Sequence, residues 1–152
     1  MEPESVQPAA GEIFELGRDE IDEFLSRQLV GRIGCHHDGR TYVVPVIYAY
    51  DGDAFYVYST EGRKVEMMRA DPHVCFEVDE YEQRSGSWRS VIVDGVYEEL
   101  EGVAAARALA LLAARFAARA GRAARPRRGK PGSTVVAFRI RIERSSGRAI
   151  VR

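Results

Sequence analysis

Residues 42–59 read Y-V-V-P-V-I-Y-A-Y-D-G-D-A-F-Y-V-Y-S. β-branched and aromatic side chains fill both flanks, a composition that suits a pleated, half-buried surface and crowds a helix. Asp51-Gly52-Asp53 in the middle is turn chemistry. The stretch therefore predicts two antiparallel strands, Tyr42–Tyr50 and Ala54–Ser59, joined by a tight turn. Upstream, Asp38-Gly39 is a two-residue hairpin signal, which makes Arg32–His37 the preceding strand. Downstream, H-V-C-F-E-V-D at His73–Asp79 gives a fourth strand. Trp88–Leu100 gives a fifth, with Gly95 marking a bend or bulge. T-V-V-A-F-R-I-R-I-E at Thr134–Glu143 gives a sixth, with Ser145-Ser146-Gly147 read as a turn after it.

Three segments break this β pattern. Ile21, Phe24, Leu25 and Leu29 recur at helical spacing behind Asp19, an expected N-cap, and Gly31 is the expected stop. Arg63–Ala70 reads as a short helix carrying Val65, Met67 and Met68, ended by Asp71-Pro72. Residues 102–120 are alanine-rich and helical, with Val103, Leu109, Leu111, Leu112 and Phe116. Residues 1–12 read as a flexible arm, residues 80–87 as a loop, and residues 121–132, G-R-A-A-R-P-R-R-G-K-P-G, as a flexible basic linker. The expected fold is α+β: a mainly β, six-stranded antiparallel barrel with flanking helices. It forms one domain over residues 13–152, with 103–132 as a helix-plus-linker insertion.

The 152 residues carry 45% apolar and 30% charged side chains and a formal net charge of -1. Balanced charge argues against a dedicated nucleic-acid binder. The acidic start (Glu2, Glu4, Glu12, Glu15, Asp19, Glu20, Asp22, Glu23) and the basic stretch Arg107–Lys130 read as solvated faces. No run of eighteen apolar residues is present, so no membrane span is expected. The N-terminus lacks a signal-peptide pattern, which makes the cytoplasm the expected compartment. Cys35 and Cys75 sit inside apolar strand patterns and are expected as reduced core residues. His36 and His37 are neighbours in a strand and point to opposite faces, so they do not share a metal. No zinc spacing and no G-x-S-x-G element occurs, and no metal site is expected.

Chemistry concentrates at Tyr58-Ser59-Thr60-Glu61-Gly62-Arg63-Lys64. The chain leaves a strand with two hydroxyls, turns at a glycine and enters a helix behind two cations. Cations at a helix N-terminus oppose the macrodipole unless an anion joins them. Amides, hydroxyls and cations together make a phosphate site. Val44-Pro45-Val46-Ile47-Tyr48 places proline in a strand, an edge or bulge feature that frees backbone groups for a ligand. Trp88-Arg89-Ser90-Val91 offers a flat ring beside a hydroxyl.

Taken in order, G-R-I-G-C-H-H-D-G-R-T-Y-V-V-P-V-I-Y (31–48), F-Y-V-Y-S-T-E-G-R-K (55–64), W-R-S-V-I-V-D-G (88–95) and F-R-I-R-I-E-R-S-S-G-R (138–148) resemble the pyridoxamine 5'-phosphate oxidase-like superfamily, and within it the nitroimidazole-reductase-like branch. The resemblance implies a split barrel, a homodimer, and FMN held in two clefts between subunits. It places Ser59, Thr60, Arg63 and Lys64 at the phosphate, with Tyr58 beside them as a further cofactor-binding residue. Pro45, Val46, Ile47 and Tyr48 fall on one ring-contacting strand, and Trp88, Ser90 and Val91 on another. The implied activity is flavin-mediated electron transfer to a small organic acceptor. Alternatives are a non-catalytic flavin carrier or redox sensor, and a split barrel using deazaflavin or haem. The chain ends in S-S-G-R-A-I-V-R, without the Arg and His set of the vitamin oxidases, so vitamin oxidation is not expected. No side chain stands out as a catalytic proton donor.

Overall fold

The computed structural model describes residues 8–120 and 134–152. In chain order these form β1 (Ile13–Glu15), α1 (Arg18–Arg27), β2 (Val30–His37), β3 (Arg40–Ile47), β4 (Ala49–Tyr50), β5 (Ala54–Thr60), α2 (Arg63–Ala70), β6 (His73–Tyr81), β7 (Trp88–Leu100), α3 (Gly102–Ala120) and β8 (Val135–Ile150). The architecture is the expected α+β split barrel, with every pairing antiparallel.

The strands number eight, not six. One extra strand arises because the run expected as Tyr42–Tyr50 breaks at Tyr48. Its first part, β3, pairs with β2, and its last two residues, β4, pair with β5. The ladder runs β3-β2-β6-β7-β8-β5-β4 and does not close. Its two ends are consecutive pieces of a single bent run, and the break between them is the split of the barrel. The other extra strand is β1, which pairs with the end of β8, Ile13 opposite Ile150.

That pairing exists because β8 does not turn at Ser145-Ser146-Gly147, as expected, but continues to Ile150. Gly147 serves packing there: a Cβ would lie 3.0 Å from Leu16 Cδ1 and 3.1 Å from Ile21 Cγ1. The bulge expected at Gly95 is present. Asp94 faces Arg144 but Gly95 faces Ile142, leaving Glu143 as the additional residue.

α1 differs from expectation at both ends. Its N-cap is Gly17, whose amide donates to Glu20 Oε1 at 3.1 Å, and Asp19 lies inside the first turn, where its charge complements the helix dipole. It stops at Arg27, and Gly31 lies within β2, where a Cβ would stand 2.2 Å from Phe76 Cε1. The hairpin at Asp38-Gly39 is as read: both residues take positive φ, 52° and 71°.

The core is aromatic and aliphatic. Phe55 and Phe76 stack with centroids 4.0 Å apart, and Tyr48 meets both edge-on. Cys35 and Cys75 are free thiols, Cys35 buried and Cys75 half-buried. Among the described residues no charged side chain is fully buried, so ligand chemistry belongs to the barrel's ends, seam and outer face.

Candidate functional site

Hydrogen-bond direction along a strand alternates, so the seam's free backbone groups can be assigned. The Tyr48 amide donates across to Leu29. Counting back, Val46 and Val44 also turn toward β2, while Val43, Pro45 and Ile47 direct their polar groups away from it. β3 pairs only with β2, so these groups face the split. Pro45, without an N–H, occupies the position where none is needed for the ladder. On the opposite bank, the Asp51 amide donates to Ala54 O across the β4–β5 turn. By the same alternation Tyr58 and Thr60 face the split, since β4 pairs with β5 only at Phe55 and Tyr56.

α2 begins directly beyond β5. Its N-cap, Gly62, has extended backbone and no side-chain cap. The first-turn amides thus lack the usual oxygen acceptor. Arg63 and Lys64 occupy this first turn. The Arg63 guanidinium lies 4.9 Å from the Tyr42 ring centroid. Lys64 is half-buried, and among the described residues neither cation forms an ion pair with a carboxylate. Burial holds the Lys64 ammonium below the usual lysine range, with the nearby Cys35 acting weakly in the other direction. Burial likewise pushes the Cys35 thiol up, against the pull of Arg63 and Lys64. A desolvated cation without a counterion is costly, and an arriving anion removes that cost.

The structure sorts the expected site residues into three groups. Pro45, Ile47, Tyr58, Ser59, Thr60, Arg63 and Lys64 gather along the two banks and the α2 end of the seam. The Ser59 hydroxyl donates to Thr60 O at 3.1 Å. Val46, Tyr48 and Val91 turn their side chains into the core, at 8%, 1% and 0% exposure. Val91 is in register with Val78 on one side and Gly147 on the other, so its backbone groups belong to the ladder. Trp88 and Ser90 are half-buried on β7, three strands from β3. At the usual spacing that is about 14 Å from β3, and two strands, about 10 Å, from β5, so neither residue lies on a bank of its own chain's seam.

Tyr42 is a site residue that sequence reading did not single out. Its signal is register: opposite Cys35 on β3, it faces the barrel end that α2 covers. A larger cavity, about 1070 Å³, lies elsewhere, between α1 and the later half of β8, lined by residues such as Asp22, Tyr50 and Arg144. It mixes both charge signs, has its Tyr50 hydroxyl committed to Asp22 at 2.7 Å, and shares no residue with the cradle.

Comparison with known proteins agrees with this architecture. A crystal structure of an FAD-binding protein from Mesorhizobium loti superposes with a TM-score of 0.73 at 36% identity, covering 90% of this chain and 97% of that one. A nitroimidazole antibiotic resistance protein from Bacteroides thetaiotaomicron, so described provisionally, shares the fold at 18% identity, with a TM-score of 0.68 and 95% of both chains covered. An FAD-binding protein from Mycobacterium smegmatis does so at 21% identity, with a TM-score of 0.66, 91% of this chain and 99% of that one. An uncharacterised protein of Rhizobium meliloti (strain 1021) is 33% identical over 85 residues, so the match spans 56% of either chain. The sequence profile of the family described as pyridoxamine 5'-phosphate oxidase matches residues 17–149, and the chain belongs to that family.

Proposed function

We propose that the protein binds a flavin nucleotide, FMN, with its phosphate at the α2 start and its ring over the seam. The observation that carries this reading is the half-buried Lys64, without an ion pair among the described residues, beside Arg63 at a helix start without a side-chain cap. These residues fit a phosphate. Arg63 supplies a planar fork already oriented over Tyr42, and Lys64 supplies a point charge. The Thr60 hydroxyl and the first-turn amides complete a donor shell, which the Ser59 hydroxyl joins only on leaving Thr60 O. On the ring side, the Ile47 amide and the Pro45 and Ile47 carbonyls give a donor and acceptors along one edge. A bound flavin supplies hydride and electron transfer; the chain's part is to hold, orient and shield it.

The reading includes a homodimer. Val30, Val43, Ile47 and Ile92 are exposed at 45%, 61%, 39% and 50% on one face of β2, β3 and β7. That face flanks the seam, and an apolar patch there suits a second copy. The second copy would supply Trp88 and Ser90, which one chain keeps away from its own cradle. The activity proposed is flavin-dependent oxidoreduction of a small organic acceptor.

Purified protein should be yellow, or should quench FMN fluorescence on titration. Protein that is colourless and leaves FMN fluorescence unchanged defeats the reading. Oxidation of NADH or NADPH with a quinone or nitroaromatic acceptor separates an enzyme from a carrier. A second reading, FAD in place of FMN, is favoured by the name of the 36% identical Mesorhizobium loti protein. Mass analysis of heat-released cofactor decides between the two.

A further inference from the structure

Glu61 lies one residue before Gly62 and within three residues of both cradle cations. Left free, its carboxylate is the natural internal partner for Arg63 or Lys64. It is bonded elsewhere. Arg69, in the last turn of α2, donates from Nη1 to Glu61 Oε1. The same guanidinium grips Glu99 on β7 with two bonds, Nε to Oε1 at 2.7 Å and Nη2 to Oε2 at 3.2 Å. Tyr97 fixes Glu99 in turn, its hydroxyl donating to Oε1 at 2.6 Å. The Tyr97 amide donates to Pro72 O at 2.8 Å, which ties the end of α2 to the same strand. Glu66, the carboxylate within α2, is exposed and forms no ion pair among the described residues.

This network is poorly placed to stabilise the fold. Arg69, Glu61 and Glu99 are 40%, 37% and 33% exposed, and exposed ion pairs contribute little. Its geometric effect is larger. A helix side chain leans toward the N-terminus, so Arg69 reaches back along α2 to the turn that opens it. There it draws off the carboxylate that immediately precedes the Gly62 turn into the helix.

We propose that Arg69 is a positioning residue for cofactor binding: held by Glu99 and Tyr97, it keeps Glu61 out of the phosphate cradle. The proposal rests on the reading of the cradle given above. The residue acts by removing a competitor, so its loss leaves every direct phosphate contact in place. An internal ion pair of ordinary exposed strength competes with an external anion by about fivefold.

The test uses the full chain as wild type, Arg69→Ala, Arg69→Gln and the double variant Glu61→Gln/Arg69→Ala, with FMN titrated by fluorescence. Arg69→Ala should bind FMN about fivefold more weakly, and the double variant should return to within twofold of wild type. Arg69→Gln covers failure of the alanine variant to fold. A second readout needs no flavin. The chain has two lysines, Lys64 and Lys130, so ¹³C NMR of labelled lysine follows Lys64 directly. Its titration should move up in Arg69→Ala and return in the double variant. Unchanged affinity and unchanged Lys64 titration in Arg69→Ala overturn the proposal, as does a loss that Glu61→Gln does not relieve. Wild-type protein that binds no FMN overturns the reading of the cradle instead, and the Lys64 titration still decides the role of Arg69.

Discussion

The hydroxyl of Tyr48 donates to the carbonyl of Leu25 at 2.7 Å, joining the bend between β3 and β4 to the body of α1. The ring of the same residue meets Phe55 and Phe76 edge-on, with centroids 5.1 Å and 5.5 Å away. One side chain thus fixes both the corner where the sheet parts and the aromatic centre. Tyr48→Phe keeps the ring and leaves a buried carbonyl without that partner. The expected loss is about 1–2 kcal/mol of unfolding free energy in urea, with little change in m-value. Stability equal to wild type would show that the bond does not anchor the corner.

Gly31→Ala should cost more. The added carbon meets Phe76 at 2.2 Å and 2.5 Å, and the Phe76 ring is held by stacking on Phe55 and the edge contact of Tyr48. Overpacking against an immobile ring should remove at least about 2 kcal/mol, read as a lower urea midpoint.

Lys64→Met separates binding from folding. It removes a desolvated ammonium and keeps the stem, so the ligand-free protein should be as stable as wild type or slightly more so. FMN binding should weaken about 10- to 100-fold, the usual value of a charged hydrogen bond. Burial also sets the pH response. Phosphate binding needs the ammonium form, and that form is lost at a lower pH than for an exposed lysine. Wild-type affinity should therefore decline on the alkaline side, and Lys64→Arg should flatten the decline.

Glu77 gives a pH signature in stability. Its burial, then the hydrogen bond and charge of Asp79, push its carboxyl up to about 7, against the opposing pull of Arg32. Between its ordinary value of 4.5 and about 7 the folded chain holds a proton that the unfolded chain has released. Stability from this group is therefore greatest at the acid end and falls as pH rises through that window. Glu77→Gln should remove the slope. At pH 8 the variant should be the more stable protein by about 1 kcal/mol, after allowance for water screening at this partly open site. Parallel stability–pH curves for the two proteins would contradict this.

Local signals were most legible where one force decides. α2 and α3 fall where helical spacing and the Asp71-Pro72 stop place them, and Asp38-Gly39 takes the backbone its turn requires. The misread segments are those where a distant partner overrides local chemistry. Ser145-Ser146-Gly147 carries turn residues, yet β7 pairs with it and Leu16 and Ile21 press on Gly147, so it stays extended. Ile13–Glu15 is too short to announce a strand and becomes one only because β8 continues past it. Tyr48 looks like a strand residue and acts as a corner because Leu25, far away in sequence, accepts its hydroxyl. The basic linker expected over 121–132 lies outside the described residues. In the candidate site, the cradle was legible as a motif. Which strand groups face the seam required the register, and the withdrawal of Glu61 by Arg69 required the side chains.

Pro45 has a consequence for molecular discrimination. An unpaired strand border is ordinarily an invitation to β-augmentation by any extended chain that drifts past. A zippering peptide needs donors at every second residue, and on this border the middle one is imino. Strand-by-strand addition stalls after a single rung, whereas a rigid planar guest, needing only one donor and an acceptor or two, is not penalised.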